Sequence, residues 1–151
     1  MKILFSYPDE LQNEIELIHK EMNIGNWDLF HLRKPKFSEE EVFHFYNQLN
    51  DDVKSKTVLH YQFKGSCHSF EEVEKLDGEK EYCFLSPIFD SISKQGYKAK
   101  FEKVELKEFL KKDREIKVIA LGGIIEENYS EVLSLGFDGG AFLGSVWNKY
   151  E

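Results

Sequence analysis

Two stretches near the C-terminal end decide the fold: Ile116–Gly123 (IKVIALGG) and Gly139–Val146 (GGAFLGSV). Each is a continuous apolar run rather than an alternating one, which is the pattern of a strand covered on both faces. Each also runs into glycine. Working back toward the N-terminus, similar runs recur at Tyr82–Ile88 (YCFLSPI), Ser66–Ser69, Thr57–Phe63 (TVLHYQF), Trp27–Leu32 (WDLFHL) and Lys2–Tyr7 (KILFSY). Amphipathic stretches lie between them. Leu11, Ile15, Ile18 and Met22 share one helical face. Ser38 and Glu41 form a capping box ahead of Val42, Phe45, Tyr46 and Leu49, and Ser69 with Glu72 form a second. Val104–Leu110 is a short helix, and Glu126–Leu135 is a helix closed by Gly136. The segment from Asp90 to Lys100 is a polar loop.

Strands joined by helices in this order form a parallel sheet. Two architectures fit, an open doubly wound sheet and a closed (β/α) barrel. The last two strand runs end in Gly122-Gly123 and Gly144-Ser145, where a barrel builds a phosphate site. Glycine lets backbone N–H groups approach an anion with no Cβ in the way. Ordinary turns use glycine as well. No Gly-x-Gly-x-x-Gly follows the first strand, which argues against a dinucleotide fold.

The chain has 151 residues, 20 Lys+Arg against 28 Asp+Glu, and a net charge of −8. That length fits one domain, residues 1–151. Hydrophobic content of 41% and aromatic content of 15% exclude a disordered chain. The acidic balance argues against nucleic-acid and membrane-surface partners. No apolar run approaches the roughly 20 residues that span a bilayer. The N-terminus turns acidic too soon for a secretory signal. Cys67 and Cys83 make no disulfide framework. A cytoplasmic protein is expected.

Four blocks in order resemble the thiamin phosphate synthase family and its thiazole tautomerase relatives. They are Phe30–Pro35 (FHLRKP), Lys64–Ser69 (KGSCHS), Leu85–Lys94 (LSPIFDSISK) and Val118–Ile124 (VIALGGI), with Gly136–Val146 extending the last. The resemblance implies a TIM (β/α) barrel that joins a pyrimidine diphosphate to a thiazole phosphate, releases pyrophosphate and uses Mg²⁺. It further implies diphosphate contacts from Arg33 and Lys94, the two residues expected to be catalytic. By the same carry-over His31 and Ser66 meet the pyrimidine, Ser91 and Ser93 hold the thiazole side, and Gly122, Gly123 and Gly144 cradle the thiazole phosphate. His68 matches a family histidine, and Lys34 is out of phase with the family's lysine.

This chain departs from the family at strand three, where TVLHYQF places His60 and Tyr61 instead of Asn-Asp. The block carrying a second metal ligand is absent, so Mg²⁺ use is in question and no metal ligand is assigned. Pro87 stands where the tautomerases have histidine. The leading expectation is therefore a synthase-like transferase. The alternatives are a tautomerase-like isomerase, with His31, His60 or His68 as its acid–base group, and a non-catalytic phosphate-binding homologue. His31, His60 and His68 could also converge on a metal or serve as hydrogen-bonded core and rim residues. Ser66-Cys67-His68 suggests a nucleophile at first sight, but Cys67 points away from Ser66 and His68 along a strand.

Barrels of this type need about 200 residues or more. One β/α unit and the closing helix are missing by comparison, because Phe63-Lys64-Gly65 leaves no room for a parallel crossover. Either residues are absent there or the barrel is open beside strand three. Absent residues are the expectation, since an open gap exposes strand edges and apolar surface. That expectation requires a Phe63–Lys64 Cα separation well above about 3.8 Å.

Overall fold

The computed structural model describes residues 1–90 and 98–151. The strands are β1 (Lys2–Phe5), β2 (Leu29–Leu32), β3 (Thr57–Leu59), β4 (Ser66–Cys67), β5 (Tyr82–Leu85), β6 (Lys117–Ala120) and β7 (Gly139–Phe142). The helices are α1 (Glu14–Ile24), α2 (Glu39–Asn47), α3 (Asp51–Lys56), α4 (His60–Phe63), α5 (Phe70–Leu76), α6 (Lys103–Leu110), α7 (Glu126–Leu135) and α8 (Gly144–Trp147). All seven strands form one sheet in the order β3-β2-β1-β7-β6-β5-β4, and every pairing is parallel.

The sheet is curled. β2 and β5 are four strands apart, about 19 Å along a flat sheet. Yet His31 Nε2 on β2 lies 2.6 Å from the Tyr82 hydroxyl on β5. The Phe5 and Phe84 rings, on β1 and β5, meet at 5.1 Å. The concave face holds a small cluster of Ile3, Phe5, Phe84, Ile119 and Ala141. The convex face, covered by helices, carries the larger core around Leu4, Phe30, Leu32, Val118 and Phe142. Successive strand residues alternate between the two clusters, as the pleat requires.

Several local signals form as the sequence dictates. The Ser38–Glu41 capping box starts α2, and Gly136 ends α7 at φ 110°. Ser69 caps α5 by accepting from Glu72 N–H, while the Glu72 carboxylate reaches back to His68 N–H at 3.0 Å. Two runs read as strand throughout turn out mixed. Thr57–Phe63 is strand only to Leu59 and then coils into α4. Gly139–Val146 leaves the sheet after Phe142 and enters α8, followed by a 3₁₀ turn at Asn148–Tyr150. That short helical end packs on the sheet through Trp147, which is fully buried and donates from Nε1 to Phe5 O at 2.6 Å.

The chain runs without interruption from α4 through Lys64, whose φ of 56° caps the helical turn. The wide separation expected at Phe63–Lys64 is therefore not found. β3 and β4 are the two edges of the sheet, and α4 spans the space between them. Phe63 folds inward, stacking on Tyr82 at 4.7 Å and meeting the edge of His31 at 4.9 Å. The Phe63 carbonyl accepts from Lys80 Nζ at 2.5 Å. Gly65 makes this reversal fit, since a Cβ there would lie 2.5 Å from the Phe63 ring. The gap that sequence alone leaves bare is thus filled by an aromatic side chain. No helix among the described residues is long and apolar enough to cross a membrane.

Candidate functional site

A parallel sheet places every strand's C-terminal end at one mouth. The opposite end is already satisfied by carboxylates: Asp28 accepts from Lys2 N–H, Asp77 from Glu115 and Ile116 N–H, and Asp138 from Val118 N–H. The mouth is different in kind. It collects glycine turns, histidines and cations.

On the β6–β7 side the walls are main chain. Gly122 and Gly123 follow β6 at φ 102° and 69°. A Cβ on Gly123 would sit 2.3 Å from Asp90 O, so only glycine fits under that loop. The turn is fixed by Phe89 N–H donating to Gly122 O at 3.0 Å and by Asn128. Asn128 donates to Gly123 O at 2.8 Å and accepts from Ile125 N–H at 2.9 Å. The N–H groups of Gly122, Gly123 and Ile124 have no partner among the described residues. Gly144 and Ser145 open α8, where the first N–H groups have no intrahelical acceptor. Ser145 Oγ reaches Ile124 O at 3.4 Å, which holds the two turns together. Unsatisfied N–H groups converging from two glycine turns suit a phosphate.

On the β2 side the walls are side chains. Arg33 follows β2, and its main chain is pinned by Ser6. Arg33 N–H donates to Ser6 Oγ at 2.7 Å, and Ser6 Oγ donates to Arg33 O at 2.9 Å. The guanidinium is half-buried and has no carboxylate partner among the described residues. Lys34 points the other way, as its position in the strand requires. It is buried against Glu14, Tyr7 O and Asp9 O beneath the helix layer. Burial pushes the Glu14 carboxyl up and the Lys34 ammonium down, each opposed by their mutual hydrogen bond.

His31 has both ring nitrogens engaged, with His60 Nδ1 at 3.0 Å and the Tyr82 hydroxyl at 2.6 Å, and it is 0% exposed. The expected pyrimidine contact is therefore not available to His31 as it stands; it fills the interior instead. Burial, then the neighbouring His60, holds its pKa down to about 3. His60 reaches the mouth beside Arg33, and burial followed by the Arg33 charge lowers its pKa to about 4. Ser66 is exposed on the edge strand β4. His68 is exposed on the rim, with Nδ1 3.3 Å from Ser86 Oγ, and its carbonyl accepts from Lys100 Nζ at 2.5 Å. Cys67 and Cys83 are both buried among the helix-side core residues, which removes the nucleophile reading. Lys94, Ser91 and Ser93 lie outside the described residues.

Sequence reading thus located Arg33 and the glycines at one mouth. It missed Ser6, Tyr82, Ser86 and Lys100. Ser86 carried a usable signal, since it lies in the Leu85–Lys94 block that carries the family resemblance. The other three are set by contacts between distant strands and loops, which no local motif encodes.

Residues 64–146 match the family described as thiamine monophosphate synthase, which is more than half of the chain. The chain belongs to the thiamine monophosphate synthase family. A thiamine-phosphate synthase of Listeria welshimeri is 32% identical over 83 residues, 54% of this chain and 40% of that protein. One from Anoxybacillus flavithermus is 29% identical over 82 residues, 54% of this chain and 38% of its own length. The matches thus span about 40% of these curated relatives. The crystal structure of a thiamine phosphate pyrophosphorylase from Bacteroides thetaiotaomicron superposes with a TM-score of 0.76 at 26% identity, covering all of this chain and 87% of that one. A thiamine phosphate pyrophosphorylase from Pyrococcus furiosus shares the fold, with a TM-score of 0.69 at 18% identity over 95% and 84% of the two chains.

The family implies Mg²⁺, a hard cation that takes oxygen ligands in an octahedral shell. Among the described residues no three His, Cys, Asp or Glu side chains gather to hold a metal ion. β3 ends in an imidazole, and Asp90 is engaged by Ala99 N–H and Lys98. The described mouth does not fit the ion.

Proposed function

We propose that this chain carries a transferase site of the thiamin phosphate synthase type, working in the cytoplasm. Its substrates are a pyrimidine methyl diphosphate and a thiazole phosphate. The observation that carries the reading is the mouth itself, which collects the N–H groups of Gly122–Ile124, the turn at Gly144–Ser145 and the Arg33 guanidinium, none of the three N–H groups having a partner and the guanidinium having no carboxylate partner among the described residues. The glycine turns take the thiazole phosphate. Arg33 takes the diphosphate, whose departure leaves a cationic pyrimidine methylene that the thiazole nitrogen captures. Stabilising the charge on the leaving pyrophosphate lowers the barrier of that step. Pro87 speaks for this reaction over the tautomerase one.

The test is incubation with both substrates, with Mg²⁺ and with EDTA in its place. Pyrophosphate release matched by thiamin phosphate formation supports the proposal. Absence of turnover alongside tight thiazole phosphate binding supports the second reading, a phosphate-binding homologue. The enclosure of His31 favours that second reading, because it leaves the pyrimidine side without the contact the family resemblance implies.

A further inference from the structure

The interior of the curled sheet holds a polar column that the reading above leaves unused. Tyr82 lies at the strand-entry end, His31 fully buried in the middle and His60 at the mouth. The Tyr82 hydroxyl is 2.6 Å from His31 Nε2, and His31 Nδ1 is 3.0 Å from His60 Nδ1. Phe5 stacks on His31 at 5.4 Å, and Phe63 and Phe84 meet it edge-on at 4.9 Å each. The middle of the column is thereby sealed from solvent.

The direction of the hydrogen bonds follows from proton counting. With pKa values held to about 3 and about 4, His31 and His60 are both neutral near pH 7, one proton each. Burial, then Glu81, pushes Tyr82 up to about 12, so its hydroxyl keeps its proton. The acceptor for that proton among the described residues is His31 Nε2. His31 then carries its own proton on Nδ1 and donates it to His60 Nδ1. His60 is left with its proton on Nε2. His60 Nε2 has no hydrogen-bond partner among the described residues. His60 borders a cavity of about 300 Å³ together with Arg33, Leu32, Phe37 and Tyr61. Glu39 also borders it, but is solvent-exposed and screened.

We infer that the Tyr82–His31–His60 column presents His60 Nε2–H, beside the Arg33 guanidinium, as a donor pair for diphosphate oxygens, in place of a cation held by carboxylates. This rests on the transferase reading above. His60 is the binding group, and His31 and Tyr82 position it. A neutral imidazole whose other nitrogen is already occupied as an acceptor has one way to meet an anion, and that way is as a donor.

The test is a titration of the full chain with inorganic pyrophosphate in EDTA, read by calorimetry and by imidazole ¹⁵N shifts. Losing a hydrogen bond to a charged group weakens binding at least about tenfold, the expectation for His60→Phe. His60→Gln restores an N–H donor and recovers affinity to within about threefold of the parent. Tyr82→Phe keeps the aromatic stack, weakens binding by about threefold and moves part of the His60 population to the Nδ1–H tautomer. Unchanged pyrophosphate affinity in His60→Phe overturns the inference. So does a non-protonated His60 Nε2 with pyrophosphate bound. The readout is binding, so it separates from the activity test. Histidine-dependent pyrophosphate binding without thiamin phosphate formation removes the transferase reading alone. Turnover with histidine-independent binding removes this inference alone.

Discussion

The two halves of the curled sheet are organised by different chemistry. From β4 to β7 the structure is held by apolar packing and main-chain hydrogen bonds, and its share of the mouth is backbone N–H from glycine turns. From β1 to β3 buried polar side chains join the apolar packing: Lys34 with Glu14, Ser6 with the Arg33 main chain, and His31 with His60, a chain that reaches across to Tyr82 on β5. The family match covers the first half and stops before the second. A backbone-built anion site needs only small residues at fixed positions, so it reads clearly in sequence. A side-chain-built wall is met by many residue combinations, and this chain uses its own.

The largest expected effect lies in the polar half. Lys34→Met leaves the Glu14 carboxylate buried without its partner, a loss of about 3–5 kcal/mol. Adding Glu14→Leu recovers most of it, because two apolar side chains replace the pair. Urea unfolding of the single and double variants measures this. A near-neutral single variant breaks the contrast between the halves.

Arg33→Ala is next. It removes a charge from the leaving-group side and lowers turnover by about a hundredfold, with little change in unfolding midpoint. Equal turnover in parent and variant takes Arg33 out of the site. Gly123→Ala then tests the backbone half. It forces an L-residue into the left-handed region against Asp90 O, costing about 1–3 kcal/mol. It also weakens thiazole phosphate binding, while pyrophosphate binding stays near the parent value. Loss of both ligands together merges the two subsites proposed above.

The last effect is a slope with pH. His31 and His60 titrate at about 3 and about 4 in the folded chain, against an ordinary 6.5. Between those values the unfolded chain binds protons that the folded chain refuses. Stability therefore falls as pH drops through 6.5 and keeps falling to about pH 3. His31→Gln flattens that profile, read as denaturant midpoint against pH. An unchanged slope means other groups drive the acid sensitivity.

Much of the fold was legible. The Ser38–Glu41 box, the Gly136 terminus and the uninterrupted apolar runs gave seven parallel strands with helices between them. Strand ends were less so: Thr57–Phe63 and Gly139–Val146 carry strand-like residues past the point where the chain coils. Phe63 turns inward because Gly65 leaves space for its ring and Tyr82 offers a face to stack on, and both are tertiary facts. Arg33 and the glycines were legible as a mouth because parallel strands share a direction. His31 was read as a ligand contact from its place in a motif. Its burial depends on His60 and Tyr82, which lie 29 and 51 residues away.

The most direct measurement is an amide ¹H–¹⁵N titration of the full chain with thiazole phosphate. Shifts concentrated at Gly122, Gly123, Ile124, Gly144 and Ser145 are the expected result. Saturable binding that leaves those five amides unmoved, with shifts at the strand-entry end around Asp28, Asp77 and Asp138 instead, would contradict a phosphate site at this mouth.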